Sequence, residues 1–208
     1  MVGEIGSLGG SITPDVSLVL LGAEATISAA GTSIWDETDS LFFAKKIEMF
    51  GNSDFVMTVK FFGHIVNGQP SGTNARRKAG LMIRKSMDPS SQHFSIVHNA
   101  EAGICIQYRT NFNERTNYKC DYVDESTAPF LKLVKRGNSY DGLYSVDDGS
   151  TYIYLGTSDL DMSAVGAASF GSLEFGIVAL SNDNTSQIKA TFRYFNIEKK
   201  EVRNIEYL

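Results

Sequence analysis

The strongest constraint on this chain is the repetition of short runs in which apolar residues occupy every second position, with no run of helical period between them. Residues 79–109, AGLMIRKSMDPSSQHFSIVHNAEAGICIQYR, show it best: three apolar runs separated by compact turns. A period of two sends successive side chains to opposite faces of a strand. The same pattern predicts strands over 25–30, 41–50, 55–64, 78–85, 93–99, 103–110, 117–123, 130–135, 139–146, 151–156, 173–180 and 188–197. Turn residues interrupt it about every 8 to 12 positions, as in sandwiches and barrels. Asp147-Asp148-Gly149 and Arg136-Gly137-Asn138 read as hairpin turns. Residues 159–171, rich in Ala and Gly, read as one helical turn or a loop crossing between sheets. A dozen strands are too many for a small barrel and predict an all-β fold, a two-sheet antiparallel β-sandwich.

A sandwich of this kind fills most of 208 residues as one domain, 1–197. Residues 198–208, within EKKEVRNIEYL, read as a charged extension or linker. The formal charge of −5 argues against nucleic acid, whose backbone calls for clustered Lys and Arg. Arg76, Arg77 and Lys78 form one local exception, read as a solvated loop. No apolar run approaches the roughly 18 residues of a membrane span, so no membrane insertion is expected. Residues 16–22, VSLVLLG, are apolar but follow Glu4 and Asp15 rather than a basic region, and do not read as a signal peptide.

Cys105 and Cys120 supply neither a disulfide framework nor a zinc pattern. If 102–110 and 117–124 form a hairpin around NFNERTN, the two sulfurs face each other and a cross-strand disulfide is one arrangement. Two buried free thiols, behaving as small hydrophobes, are the favoured one.

Along 103–109, Ile104, Ile106 and Tyr108 point to one face, the core, and Cys105, Gln107 and Arg109 to the other. On 78–85, Leu81 and Ile83 take the core side and leave Met82 and Arg84 with Gln107 and Arg109. Planar Arg and Gln donors near aromatics suit sugar hydroxyls or carboxylates. The plainer reading is that Arg84 and Arg109 form cross-strand ion pairs on an exposed sheet. Trp35, the one tryptophan, reads either as a carbohydrate platform or as a plug at the end of the sandwich.

His93 and His98 lie five residues apart in one short strand, hence on opposite faces, and cannot share a metal. His93 reads as a structural group and His64 as a strand end. There is no G-x-S-x-G elbow, and GSLGG at 6–10 lacks the Lys and hydroxyl of a phosphate loop. Asn184-Thr185-Ser186 fits a glycosylation sequon.

Taken in order, EIGSLGGS, ISAAGTSIWDETDSLFFAKK, KAGLMIRKSMDPSSQHFSIV, GICIQYRT, APFLKLVKRGNSYDGLYSVDDGSTYIYLG and FGIVALSNDNTSQIKATFRYFNI resemble the concanavalin A-like jelly-roll superfamily. The likeness is to the non-catalytic modules of secreted glycosidases and surface proteins. It implies a jelly-roll fold and leaves function to be argued from a site. Catalytic relatives carry E-x-D-x-x-E along one strand, because retaining hydrolysis needs two carboxyls about 5 Å apart. This chain has no such run. Asp36-Glu37-Thr38-Asp39 has the acidic density without the spacing and reads as a turn, with neither catalysis nor calcium supported by a motif.

The expected function is a non-catalytic recognition module for a glycan or a protein surface, without cofactor, within a larger extracellular or surface protein. Arg84, Gln107, Arg109 and Trp35 are its candidate ligand-binding residues, and no residue is assigned to catalysis or metal binding. The alternative is an intracellular structural or regulatory domain that self-assembles or binds an enzyme, to which the lack of a legible signal peptide points. The enzymatic route left open is an acidic pair assembled from separate strands. Oligomeric state is not legible.

Overall fold

The computed structural model describes residues 2–5, 24–45, 53–66, 75–124, 126–162 and 173–199. These residues form strands β1 (Val2–Ile5), β2 (Glu24–Gly31), β3 (Ser33–Ile34), β4 (Asp39–Lys45), β5 (Phe55–Val66), β6 (Lys78–Arg84) and β7 (His93–Asn99). They continue with β8 (Gly103–Arg109), β9 (Asn117–Asp121), β10 (Phe130–Arg136), β11 (Ser139–Ser145), β12 (Ile153–Asp159), β13 (Glu174–Leu180) and β14 (Asp183–Lys199). One sheet runs β1-β4-β13-β6-β7-β8-β9, with β3 paired to β4; the other runs β12-β11-β10-β5-β14-β2. All pairings are antiparallel. The molecule is an all-β, two-sheet antiparallel sandwich.

Period-two alternation decides the register. Phe55, Met57, Val59 and Phe61 on β5, Leu81 and Ile83 on β6, Phe94 and Ile96 on β7, and Ile104 and Ile106 on β8 fill the space between the sheets. Leu131, Leu133, Phe175, Ile177 and Phe192 meet them there. Burying each large apolar side chain contributes roughly 1.5–3 kcal/mol. A one-residue slip would turn all of them outward, so the register is strongly specified. The DDG turn between β11 and β12 depends on backbone torsions that few residues tolerate: Asp148 has φ 62° and Gly149 φ 86°. Gly80 matters for space, since a Cβ there would lie 2.2 Å from the Ile96 carbonyl oxygen.

The strands differ from the sequence reading mainly at irregular points. β1 and β3, of 4 and 2 residues, are too short to display a period. β14 runs for 17 residues instead of ten; its register shifts twice against β5, with Tyr194 at φ 55°, and once against β2 between Asp183 and Ile188, ahead of the expected start, and each shift interrupts the alternation. β4 starts at Asp39, inside the stretch read as a turn. The apolar stretch 16–22, the glycine cluster at 6–10, residues 46–50 of the expected strand 41–50, most of the crossing at 159–171 and the tail from 200 lie outside the described residues.

On the inner face, His64 and His98 sit 5.5 Å apart, ring centre to ring centre, against Phe61. Burial, then the charge of Arg77, lowers His98 to about 4. Burial, then His98 and Arg77, takes His64 well below the usual imidazole range. Both are neutral at neutral pH, and their ring nitrogens have no hydrogen-bond partner.

Candidate binding cleft

The outer face of the larger sheet is laid out by strand register. Four rows cross β6, β7 and β8: Arg84-His93-Arg109, then Met82-Ser95-Gln107, then Gly80-Val97-Cys105, then Lys78-Asn99-Gly103. β9 adds Tyr118 to the Gln107 row and Cys120 to the Cys105 row. Successive rows are two residues, or about 7 Å, apart, so this face extends some 20 Å from Arg84 to Lys78.

One end of the face is closed. Arg84 and Arg109, expected on an open binding face, have wholly buried side chains, and the wholly buried carboxylate of Asp39 lies between them. Arg109 donates from Nη2 to Asp39 Oδ1 at 2.6 Å and from Nη1 to Oδ2 at 3.1 Å. Arg84 donates from Nη1 to Asp39 Oδ2. Their remaining donors go to carbonyls of the loops that wrap this end. Arg84 reaches Ser86 and Asp88, while Arg109 reaches Asp36, Pro89, Ser91 and Glu114. The guanidiniums are therefore used up within the fold, and the assignment of Arg84 and Arg109 to ligand binding is corrected. They do pair with an acidic residue, as the plainer reading had it, but that pair is buried under loops instead of standing on an exposed sheet.

The reading of residues 36–39 as a polar turn is likewise corrected at Asp39. Burial opposes its ionisation, but the charge of His93 when protonated, Arg84 and Arg109 together hold it below the usual carboxylate range. His93, in the same row, is pushed by burial to about 3 against the attraction of Asp39. At neutral pH it is uncharged, and the two arginines share the one aspartate, their remaining donors going to loop carbonyls.

The middle of the face is apolar: Leu41, Phe43, Met82, Val97, Val178 and Leu180 pack with Ile5 and Ile34. Ile34 belongs to a short segment lying over β8, held where its carbonyl accepts a 3.1 Å bond from Gln107 Nε2. Trp35 follows it, and its carbonyl accepts from the Thr116 amide at 3.2 Å.

The opposite end is open. A cleft of about 510 Å³ is lined by Ser33, Trp35, Arg76, Lys78, Asn99, Glu101, the Cys105–Cys120 pair, Gln107, Tyr118 and Asn182, among others. Its volume is in the range of small-molecule sites. Trp35, 37% exposed, and Tyr118, 55% exposed, meet with ring centres 4.4 Å apart and planes at 45°, giving a two-ring apolar wall. Gln107 is buried, and its Oε1 has no hydrogen-bond partner while its Nε2 is held by Ile34. Asn99 Oδ1 accepts from the amides of Glu101 and Ala102 and shapes the turn at the cleft rim. Of the four candidate residues, the structure thus brings Trp35 and Gln107 together and separates both from Arg84 and Arg109.

Two further corrections concern this end. Cys105 and Cys120 are joined in a disulfide, not left as free thiols, because the register sets them directly opposite, with Cα atoms 4.1 Å apart. Arg77 and Lys78, read as part of a solvated loop, are buried, and only Arg76 of the three is exposed. Lys78 opens β6 on the cleft side, where burial and then the charge of Arg76 bring it down to about 8. Lys78, Asn99 and Tyr118 were missed as cleft residues. The alternation along 78–85 places Lys78 on the face of Met82 and Arg84, and that was the signal for it.

Two antiparallel sheets of this order make a sandwich of the concanavalin A-like, jelly-roll kind, and solved structures agree. A functionally unknown protein from Saccharomyces cerevisiae superposes with a TM-score of 0.67 at 16% identity, over 91% of this chain and 94% of that one. Lectin II from Ulex europaeus gives 0.54 at 11% identity, over 95% and 92%. A GH43 protein from Bacillus licheniformis, BlXynB, gives 0.58 at 18% identity, over 85% of this chain but 33% of that one. Such identities establish the fold alone. No family model and no curated protein sequence matches the chain.

Proposed function

We propose that the protein is a non-catalytic recognition module that binds a glycan in the open cleft on the outer face of its larger sheet. The observation that carries this reading is the cleft itself, where the exposed Trp35–Tyr118 wall stands beside the buried, unpartnered Gln107 Oε1. An aromatic wall stacks the apolar face of a sugar ring, and a fixed acceptor at its base selects a hydroxyl. The lectin neighbour, also described in complex with galactose, supports the reading by analogy of fold. Glu101 is the one carboxylate among the described lining residues, and its Oε2 accepts from Arg76 Nε at 3.0 Å. Hydrolysis of a glycosidic bond by the usual route needs two carboxyls, which favours binding over cleavage. The disulfide favours an oxidising, extracellular or cell-surface setting.

Because Trp35 is the sole tryptophan, its emission reports on the cleft directly. Titration with a panel of oligosaccharides should shift that emission for a subset, and Tyr118→Ala should weaken the response about tenfold or more. A panel that leaves the emission unchanged at millimolar concentrations, with an equally blank glycan array, overturns the proposal.

A second reading, a domain that assembles through protein contacts, draws on Ile153 and Tyr154, which are 44% and 49% exposed on the edge strand β12. Exposed apolar edges invite pairing with another chain. Light scattering that finds a concentration-independent monomer counts against self-assembly.

A further inference from the structure

Lys78 raises a question that a neutral sugar leaves unanswered. The residue as a whole is 3% exposed and lines the cleft, and among the described residues no carboxylate forms an ion pair with it. The acid nearest in role, Glu101, is engaged by Arg76. Within the described lining the cleft therefore holds two cations and one anion, and Lys78 is the cation left over. A lysine so little exposed and with no carboxylate beside it is unfavourable in an empty site and becomes favourable when an anion enters. Across the lining, Asn99, in the same row as Lys78, and Asn182, beyond β13, add neutral polar groups. The row of Lys78 lies two rows, roughly 13 Å, from that of Gln107 and Tyr118. A ligand that touches both ends is longer than one sugar ring.

We propose, resting on the glycan reading above, that the cleft selects an acidic oligosaccharide, one ring stacked on Trp35 and Tyr118 and the carboxylate of a further sugar unit paired with Lys78. A single carboxylate fits better than a densely charged polyanion. One lysine and one exposed arginine line the cleft, Glu101 stands on the rim, and the chain as a whole carries −5.

The test pairs neutral oligosaccharides with the same backbones bearing a uronic acid, read by Trp35 emission and calorimetry on the whole chain. The uronic acid form should bind about tenfold or more tightly than its neutral partner, and Lys78→Met should abolish that preference while leaving neutral binding in place. Without ligand, the same variant should raise the urea midpoint, because an uncompensated buried charge has been removed. Equal affinity for both forms, or a preference that survives Lys78→Met, overturns the acidic assignment and leaves the glycan reading standing. A preference for sulfated over carboxylated forms overturns the carboxylate. A lowered midpoint in Lys78→Met would mean that the lysine serves the fold, and would also overturn it. If neither form binds, the glycan reading falls and the acidic assignment with it.

Discussion

The two ends of the larger sheet's outer face carry similar side chains and use them in opposite ways. At the Arg84 end, every charged group is matched: Asp39 receives both guanidiniums, and loop carbonyls take their remaining donors. At the Lys78 end, an amide oxygen is buried without a partner, and a lysine stands with no described carboxylate paired to it, beside an exposed aromatic wall. The lesson concerns satisfaction more than residue type. A buried polar group with all its bonds made stabilises a fold, whereas one left unmet beside an opening points to a ligand.

The sharpest way to break this contrast is Asp39→Ala. It leaves two guanidiniums buried without a counter-ion, a change that costs about 3–5 kcal/mol. Urea denaturation should show that loss, while changes at the open end, such as Lys78→Met, should not lower stability at all. A cost below about 1 kcal/mol for Asp39→Ala would mean that the closed end is hydrated.

The disulfide comes next. It closes a loop of 15 residues in the wall of the cleft. Replacing both Cys105 and Cys120 by Ser should cost about 3 kcal/mol, mainly by freeing the unfolded chain. An unchanged urea midpoint under reducing conditions would refute this.

A smaller and graded effect comes from pH. His93 and His98 are depressed to about 3 and about 4 in the folded protein, and His64 lies well below its ordinary value of 6.5. As pH falls below that value the unfolded chain takes up protons first. Stability is therefore full above about 6.5 and declines toward 4, by up to about 1.4 kcal/mol per pH unit for each histidine. Asp39, held below 3.8, is ionised in both states over this window and adds no slope. Urea midpoints measured at about pH 7.5 and about pH 5 should differ accordingly, and His98→Asn should flatten part of the difference. Equal midpoints would mean that the histidines are solvated.

Much of the fold was legible because alternation is a local property. The strand His93–Asn99 coincides with its expected range, and the faces assigned to Leu81, Met82, Ile104 and Gln107 match those observed. The candidate site was legible only in part. Alternation reports which face a side chain takes and says nothing of what lies over that face. Arg84 and Arg109 were read as reaching outward, and they do, but into a cover built from residues 45 and 70 positions away at Asp39. Trp35 follows a strand of two residues with no period to read, so its meeting with Tyr118 is visible only in three dimensions.

The sequence by itself determined a two-sheet sandwich and the division of each strand into inward and outward residues, because burial of alternate apolar side chains leaves one register favourable. Tertiary structure decided which outward residues serve the fold and which face an opening. That choice depends on loops and distant strands meeting over the sheet, and on whether they bring partners for the polar groups beneath them. They bring them to Arg84 and Arg109, and they leave Gln107 Oε1 without.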